Sequence, residues 1–339
     1  MAITPLWKAG AEFGNLKEFT YANANFSVSA TSAKTGTYSF RIGGSSIVNK
    51  NNAIISLGSV SQFRFGCHIS PSGRENGTPS YLRWFKEGSA TAVIDIRSDA
   101  STGVIEIAIN GTVQDSMIPT LNTWQHWGVD AKIATSGWVS FYVDGVEMLS
   151  FVGDMGASNI TSLQVGPSAN FTIFYDWTYL DDLYIDTTVG EAAPLPPPDK
   201  RFLLAVPSSD TTANWTPSTG ASNYALVDEI PTSATDFVST TASGTIDTYG
   251  VAVPPLPTGF SIAAAWPTAM AWKANAAADS SLTLRIADGV TDDDGSALHV
   301  PSTQGTITER FALQPDGSAW NNADFAAWSY GIVSSGTFT

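Results

Sequence analysis

Tyr175-Asp-Trp-Thr-Tyr-Leu-Asp-Asp-Leu-Tyr-Ile-Asp186, followed by Thr187-Thr-Val-Gly-Glu-Ala-Ala-Pro-Leu-Pro-Pro-Pro-Asp-Lys-Arg-Phe202, decides how the chain divides. Its first half alternates, with Tyr179, Asp181, Leu183 and Ile185 on one face and Leu180, Asp182, Tyr184 and Asp186 on the other. That is the period of a strand and reads as the last strand of a sandwich. Its second half carries Pro194, Pro196, Pro197 and Pro198, which fix φ, lack an N–H and favour an extended polyproline segment outside any ladder. The spacing predicts a domain over residues 1–187, a Pro-rich linker over 188–200 and a second domain over 201–339. Protease is expected to cut first between Val189 and Arg201.

At 339 residues the chain exceeds the roughly 250–300 at which single cores stop growing, which also calls for two domains. Hydrophobic residues make up 43%, with 11 Trp, 17 Phe and 10 Tyr, enough for sizeable cores. Charged residues make up 14%, against roughly 25% in ordinary soluble domains, so the surface is polar but weakly charged. A net charge of −15 opposes a phosphate backbone or an anionic membrane, and neither nucleic acid nor membrane is expected as a partner. The single cysteine, Cys67, excludes an intrachain disulfide and a cysteine-built zinc site. The first residues lack the basic and apolar regions of a signal peptide, so folding in a cytoplasm is expected.

From Ala11 to Thr187 short alternating runs are separated by turn residues. Val104 to Ile109 leads into Asn110-Gly111, and Trp138 to Val143 leads into Asp144-Gly145; both dipeptides tolerate positive φ and predict type I′ hairpins. Asp144 and Gly145 are therefore structural residues. Beyond the linker, strands are predicted in Arg201–Val206, Thr245–Val251, Phe260–Trp266, Ser281–Ile286 and Thr306–Leu313. The fold class is all-β, two β-sandwiches on a Pro-rich joint, with little helix.

The order of Thr123-Trp124-Gln125-His126-Trp127, Val143-Asp-Gly-Val146, Ile160-Thr-Ser-Leu-Gln-Val-Gly166 and Tyr179-Leu-Asp-Asp-Leu-Tyr-Ile185 resembles the concanavalin-A-like, laminin-G-like jelly roll over about residues 10–187. In the second half, the run from Trp215 to Glu229, Asp247-Thr-Tyr249 and Gln314-Pro-Asp-Gly-Ser-Ala-Trp-Asn-Asn-Ala-Asp-Phe325 is similar to virion structural proteins of tailed bacteriophages, which join such a module to a C-terminal sandwich. The resemblance implies a non-enzymatic protein of the virion exterior, a head decoration, head fibre or tail-associated fibre. Other capsid or tail proteins would be its partners, and a homotrimer its form.

A jelly-roll glucanase needs a Glu-x-Asp-x-x-Glu strand, and here Asp95 has Val93 and Ser98 in the places of the two glutamates, which disfavours a glycoside hydrolase. His68, His126 and His299 show no metal-ligand spacing, and neighbouring Cys67 and His68 point to opposite faces of a strand. Asp292 and Asp294 of the run Asp292-Asp-Asp-Gly295 are the weak calcium candidates, though the run lacks calcium-loop spacing and reads as a hairpin turn. No catalytic residue and no cofactor is expected. Asp181 and Asp182 read as structural acids tying down a neighbouring loop. If the jelly roll instead reads a host surface glycan, Trp84 and Trp177 are its stacking residues, with Trp215 and Trp320 also in or beside loops.

Overall fold

Asn110-Gly111 and Asp144-Gly145 form the two hairpin turns. Both residues of each pair take positive φ, 49° and 84° in the first and 50° and 80° in the second, the backbone that matches the twist of the strands they join. The computed structural model describes residues 4–336 apart from 13, 14, 17, 24, 25, 44–51, 72–79, 100, 101, 167–176, 189–192, 276–278, 288, 289, 322–324 and 326. It divides into two compact units, residues 1–203 and 204–339.

The strands of the first unit are β1 (Thr4–Ala9), β2 (Tyr21–Ala22), β3 (Ser27–Ser29), β4 (Ser39–Gly43), β5 (Ala53–Val60), β6 (Gln62–Ser70), β7 (Ser80–Lys86) and β8 (Ile94–Ser98). They continue as β9 (Ile105–Ile109), β10 (Thr112–Met117), β11 (Gln125–Lys132), β12 (Gly137–Val143), β13 (Val146–Gly153), β14 (Ile160–Val165) and β15 (Trp177–Thr187). One sheet runs β13-β12-β11-β6-β15-β4-β3 with β1 added on β15, and the other runs β10-β9-β8-β7-β14-β5-β2. Between them lies one core, to which β6 gives Phe63, Phe65, Cys67 and Ile69, β9 gives Ile105, Ile107 and Ile109, and β12 gives Val139 and Phe141. Each such side chain stabilises the sandwich by about 1.5–3 kcal/mol through removal of apolar area from water.

β15 does not keep the strict alternation expected of it. Against β6 it pairs Leu180 with Ile69 and Asp181 with His68, then Tyr184 with Gly66 and Ile185 with Phe65, so β15 carries one residue more than its partner. This bulge sits at Asp182, whose φ is +51°. Leu180, expected on the face of Asp182 and Asp186, therefore joins Leu183 and Ile185 in the core, while Asp182, Tyr184 and Asp186 line the outer face.

That outer face is covered by the chain's own next segment. Gly66 and Gly128 are register partners on β6 and β11. They leave a lane: a Cβ on Gly66 would lie 2.4 Å from the Tyr184 ring, and one on Gly128 would lie 2.8 Å from the Pro197 ring. The Leu195 N–H donates to Asp130 Oδ2 at 2.7 Å, and the Tyr184 hydroxyl donates to the Pro198 carbonyl. Lys200 pairs with Asp186 and sits 4.2 Å from the Tyr184 ring centroid, and the Phe202 N–H donates to Asp182 Oδ1 at 2.8 Å. The Pro-rich stretch is thus a strap of the first unit rather than a free joint, and the boundary falls after Leu203 rather than at residue 200. A segment that cannot enter a ladder still offers carbonyls, side chains and the N–H groups of its non-proline residues, and here the sheet's polar row engages them. Of the stretch expected to be cut first, residues 189–192 lie outside the described ones.

In the second unit the strands are β16 (Val206–Ala213), β17 (Thr216–Pro217), β18 (Val238–Ser239), β19 (Ile246–Ala252), β20 (Thr268–Ala271), β21 (Ser280–Ala287), β22 (Asp292–Asp294), β23 (Leu298–His299), β24 (Gly305–Thr308) and β25 (Ser329–Gly336). A six-stranded sheet, β16-β19-β25-β21-β22 with β23 on β21, is accompanied by the ribbons β17-β18 and β20-β24. Arg201–Val206 is not the expected strand, since β16 begins only at Val206, and the Phe260–Trp266 run forms just the isolated bridge Ala265–Phe311. Asp247 on β19 is fully buried and accepts bonds from the Asn214 and Trp215 N–H groups, Asn223 Nδ2 and the Tyr249 hydroxyl.

Gly128→Val would set a branched side chain against Pro197. The expected outcome is a loss of about 1–3 kcal/mol in the stability of the first unit, with new protease cuts between Leu195 and Phe202. An unchanged denaturation midpoint and unchanged cleavage would show that the strap does not depend on Gly128.

Candidate functional site

The residue types that carry chemistry converge where strap and sheet meet. His68 and His126 are register partners on β6 and β11, with ring centroids 5.2 Å apart. The β15 bulge turns Asp182 toward them, placing Oδ2 3.2 Å from His68 Nδ1, while Asp199 of the strap brings Oδ1 to 3.1 Å from His68 Nε2. Arg201 joins the same two acids, 2.9 Å from Asp199 and 3.9 Å from Asp182. Asp182 Oδ1 also accepts the Thr35 hydroxyl at 2.8 Å. Asp181 holds the adjoining loop, accepting the Lys34 and Thr35 N–H groups on Oδ2 and the Asp182 N–H on Oδ1. Asp144, beside its turn, accepts the His126 N–H at 2.8 Å.

Burial governs the electrostatics. His126 is held down to about 4 by burial and by neighbouring His68, so it is neutral across the physiological range. Against the cost of its burial, the hydrogen bond and charge of His68, with Arg201, hold Asp199 down to about 2. Burial and the charge of Asp182 push Asp181 upward against its three N–H donors. Burial also pushes the Cys67 thiol up, which removes any nucleophilic thiolate. His68 and Asp182 are 1% and 0% exposed, and the strap closes over them as a clasp, with Asp199 of the strap on its solvent side. Among the described residues no three His, Cys, Asp or Glu side chains are placed to hold a metal ion.

The other sequence candidates fall elsewhere. Trp84 is 0% exposed, with its ring centroid 5.8 Å from that of Phe63 and 5.4 Å from that of Phe65, so it cannot stack a sugar. Strand alternation places it inward with Leu82. The side chain of Trp177 lies outside the described ones. Trp320 is buried in the second unit with its indole N–H on the Phe311 carbonyl, and Trp215 is half-buried on the Thr245 carbonyl. Asp292 and Asp294 do not stand free for calcium: Arg285 pairs with Asp292 at 2.9 Å and with both oxygens of Asp294 at 2.6 and 2.8 Å. The cross-strand register of β21 and β22, invisible in the acidic run alone, puts the arginine there.

On the outer face of the second sheet Asp95 pairs with Arg83 at 3.5 Å, and Glu106 on adjacent β9 pairs with Arg97 at 2.9 Å. Glu106 escaped the sequence reading because a single-strand motif cannot register an acid from the neighbouring strand. A shallow trough of about 360 Å³ lies on the same sheet, lined by Ile54, Phe85, Lys86, Thr161, Ser162 and Gln164. The strap was legible only as glycines: strand-interior Gly66 and Gly128 are the kind that mark a close approach.

No family model and no curated protein matches the chain. Its architecture is that of a β-sandwich. Solved structures of similar shape include an endo-β-1,4-glucuronan lyase from the fungus Trichoderma reesei, 11% identical with a TM-score of 0.42, over 55% of this chain and 96% of that one. A cellulose-induced protein, Cip1, is 10% identical with a TM-score of 0.42, over 56% and 98%. A carbohydrate esterase of the Shiga toxin-encoding bacteriophage phi24B is 14% identical with a TM-score of 0.42, over 55% and 99%. At this distance the likeness concerns the sandwich and transfers no residue's role.

Two measurements test the clasp. Asp182→Ala would leave the Thr35 hydroxyl and the Phe202 N–H without their acceptor and His68 and Arg201 with Asp199 alone, and a loss of about 3–5 kcal/mol in first-unit stability is expected; a loss below about 1 kcal/mol would contradict the clasp. For pH, Glu12 and Glu18 are raised by burial from their ordinary 4.5 to about 7, so folding favours their protonated forms. Above about 7 His126 is largely neutral whether folded or unfolded, so these carboxyls and Asp181, which burial and the charge of Asp182 raise to about 9, set the slope. First-unit Tm should therefore fall as pH rises from about 7 to about 8, and Glu12→Gln should remove part of that fall. A Tm rising over this window would refute the assignment.

Proposed function

We propose that the chain is a non-enzymatic structural component on the exterior of a tailed bacteriophage virion, a head decoration, head fibre or tail-associated fibre that acts by protein–protein assembly and folds in the host cytoplasm. The observation that carries the assembly role is where apolar surface stands exposed. Of ten large apolar side chains exposed among the described residues, six lie on or just after β10 and on β13: Val113, Ile118, Leu121, Val146, Met148 and Val152. These two strands are the end strands of the two sheets and pack side by side. Ile118 is 84% and Val152 82% exposed, concentrated along one border where a partner would remove them from water. The motif series of both halves supports the phage setting.

A second reading, a glycan-binding module of the virion, draws on the trough along Phe85, whose flank carries the hydroxyls of Thr161 and Ser162 for sugar hydroxyls. Hydrolysis is disfavoured, because Asp95 and Glu106 are each engaged by an arginine.

Purified protein added to particles lacking it should sediment with them and bind no glycan on an array. Val152→Lys should abolish the co-sedimentation. Sugar binding that is saturable and lost in Phe85→Ala, without co-sedimentation, would replace the assembly reading with the second one.

A further inference from the structure

We propose that β13 pairs with β13 of a second copy of this chain, antiparallel about a twofold axis at Ser150, joining two eight-stranded sheets into one. The inference deepens the assembly reading by naming the first occupant of the apolar border, puts a twofold form in place of the homotrimer that the resemblance implies, and rests on that reading for its biological purpose alone.

Edge strands present unpaired backbone donors and acceptors, and monomeric proteins blunt them by shortness, lysine, proline or charge. The other ends of the two sheets follow that rule: β3 has three residues, β2 has two, and six-residue β10 carries Asp115 and a bulge. β13, Val-Glu-Met-Leu-Ser-Phe-Val-Gly, is eight residues long with no lysine, no proline and one acid, and its own bulge, at Met148, leaves Leu149 to Gly153 as a regular stretch. It is the longest of these four borders and carries three exposed large apolar side chains, Val146, Met148 and Val152.

Its own sequence selects a copy of itself as occupant. From the pairing with β12, Leu149 and Phe151 lie opposite Phe141 and Val139 and face the core, whereas Ser150 and Val152 lie opposite Ser140 and Trp138 and face out. An antiparallel twofold must bring like faces together, which requires one residue to meet itself. Centred on Ser150, Leu149 meets Phe151 of the second copy and continues the core row, and exposed Met148 comes opposite exposed Val152, each contact occurring twice. Glu147 lies beyond the bulge, outside the regular pairing. The two Glu147 carboxylates then stand about 20 Å apart along the strands, beyond a Debye length of about 8 Å, so the net charge of −15 finds no like-charge contact at this border. Centring on Leu149 would instead oppose Glu147 to Phe151 and set an outward residue against an inward one. Centring on Phe151 would leave Val146 to Met148 unpaired.

Sedimentation equilibrium and cysteine crosslinking test the pairing on the full chain. The expected result is a dimer of the 35.8 kDa chain, whose dissociation constant rises about a hundredfold in Val152→Lys and is unchanged in Val290→Lys, an equally exposed valine of the second unit. Under mild oxidation Ser150→Cys should give a covalent dimer and Val152→Cys should not. In this register the two residues 152 are four positions, about 13 Å, out of line, too far for a disulfide. Both substitutions are at exposed positions, and native Cys67 is buried and silent. A monomer at every micromolar concentration, a trimer, or a dimer indifferent to Val152→Lys would overturn the proposal. If the chain is monomeric and Val152→Lys still abolishes co-sedimentation with particles, the border docks another virion protein, and the assembly reading survives without the twofold.

Discussion

Asp182 carries a fully buried carboxylate, and an ion of that size is costly to remove from water unless donors replace its hydration. The groups around it come from three separate parts of the chain: the Thr35 hydroxyl from the loop before β4 and the Phe202 N–H from the strap donate to Oδ1, while His68 of β6 lies 3.2 Å from Oδ2 and Arg201 of the strap 3.9 Å. Each segment is placed by the need to satisfy that charge, and the left-handed backbone at residue 182 is held because so many partners require it. The bulge thereby fixes the register of β15, the loop beside it and the path of the Pro-rich segment together.

The consequence for function lies in what the clasp uses up. His68, the acids on the outer sheet face of the first unit and the arginine of the strap are engaged in internal contacts, and Tyr184 and Pro197 of the strap fill the glycine lane. On the opposite sheet, acids and arginines alternate across strands and neutralise one another. Exposed large apolar side chains gather instead along β10 and β13.

The same device recurs in the second unit. Asp247 binds the N–H groups of Asn214 and Trp215, and Asp210 those of Asn223 and Tyr224, much as Asp181 binds those of Lys34 and Thr35. A carboxylate accepting paired backbone donors fixes a loop without a helix or a disulfide, which suits a chain with one cysteine and long connections between strands. The small apolar clusters around Trp320 and around Leu282 make such anchors more important there than in the single large core of the first unit.

Local patterns in the sequence determined the all-β class and the two type I′ hairpins, because period-two burial and positive-φ dipeptides act over a few residues. They also identified Asp181 and Asp182 as acids with structural duties. They misplaced Leu180, Trp84 and the role of the prolines, since one extra residue in β15 reverses the faces, and only the opposing sheet encloses Trp84. The pairing of Arg285 with Asp292 and Asp294, of Glu106 with Arg97, and of Asp199 with His68 was settled by strand register and chain return. Those bring together residues from separate stretches of chain, and no spacing along the chain encodes that proximity directly; the tertiary structure decided it by satisfying buried charge.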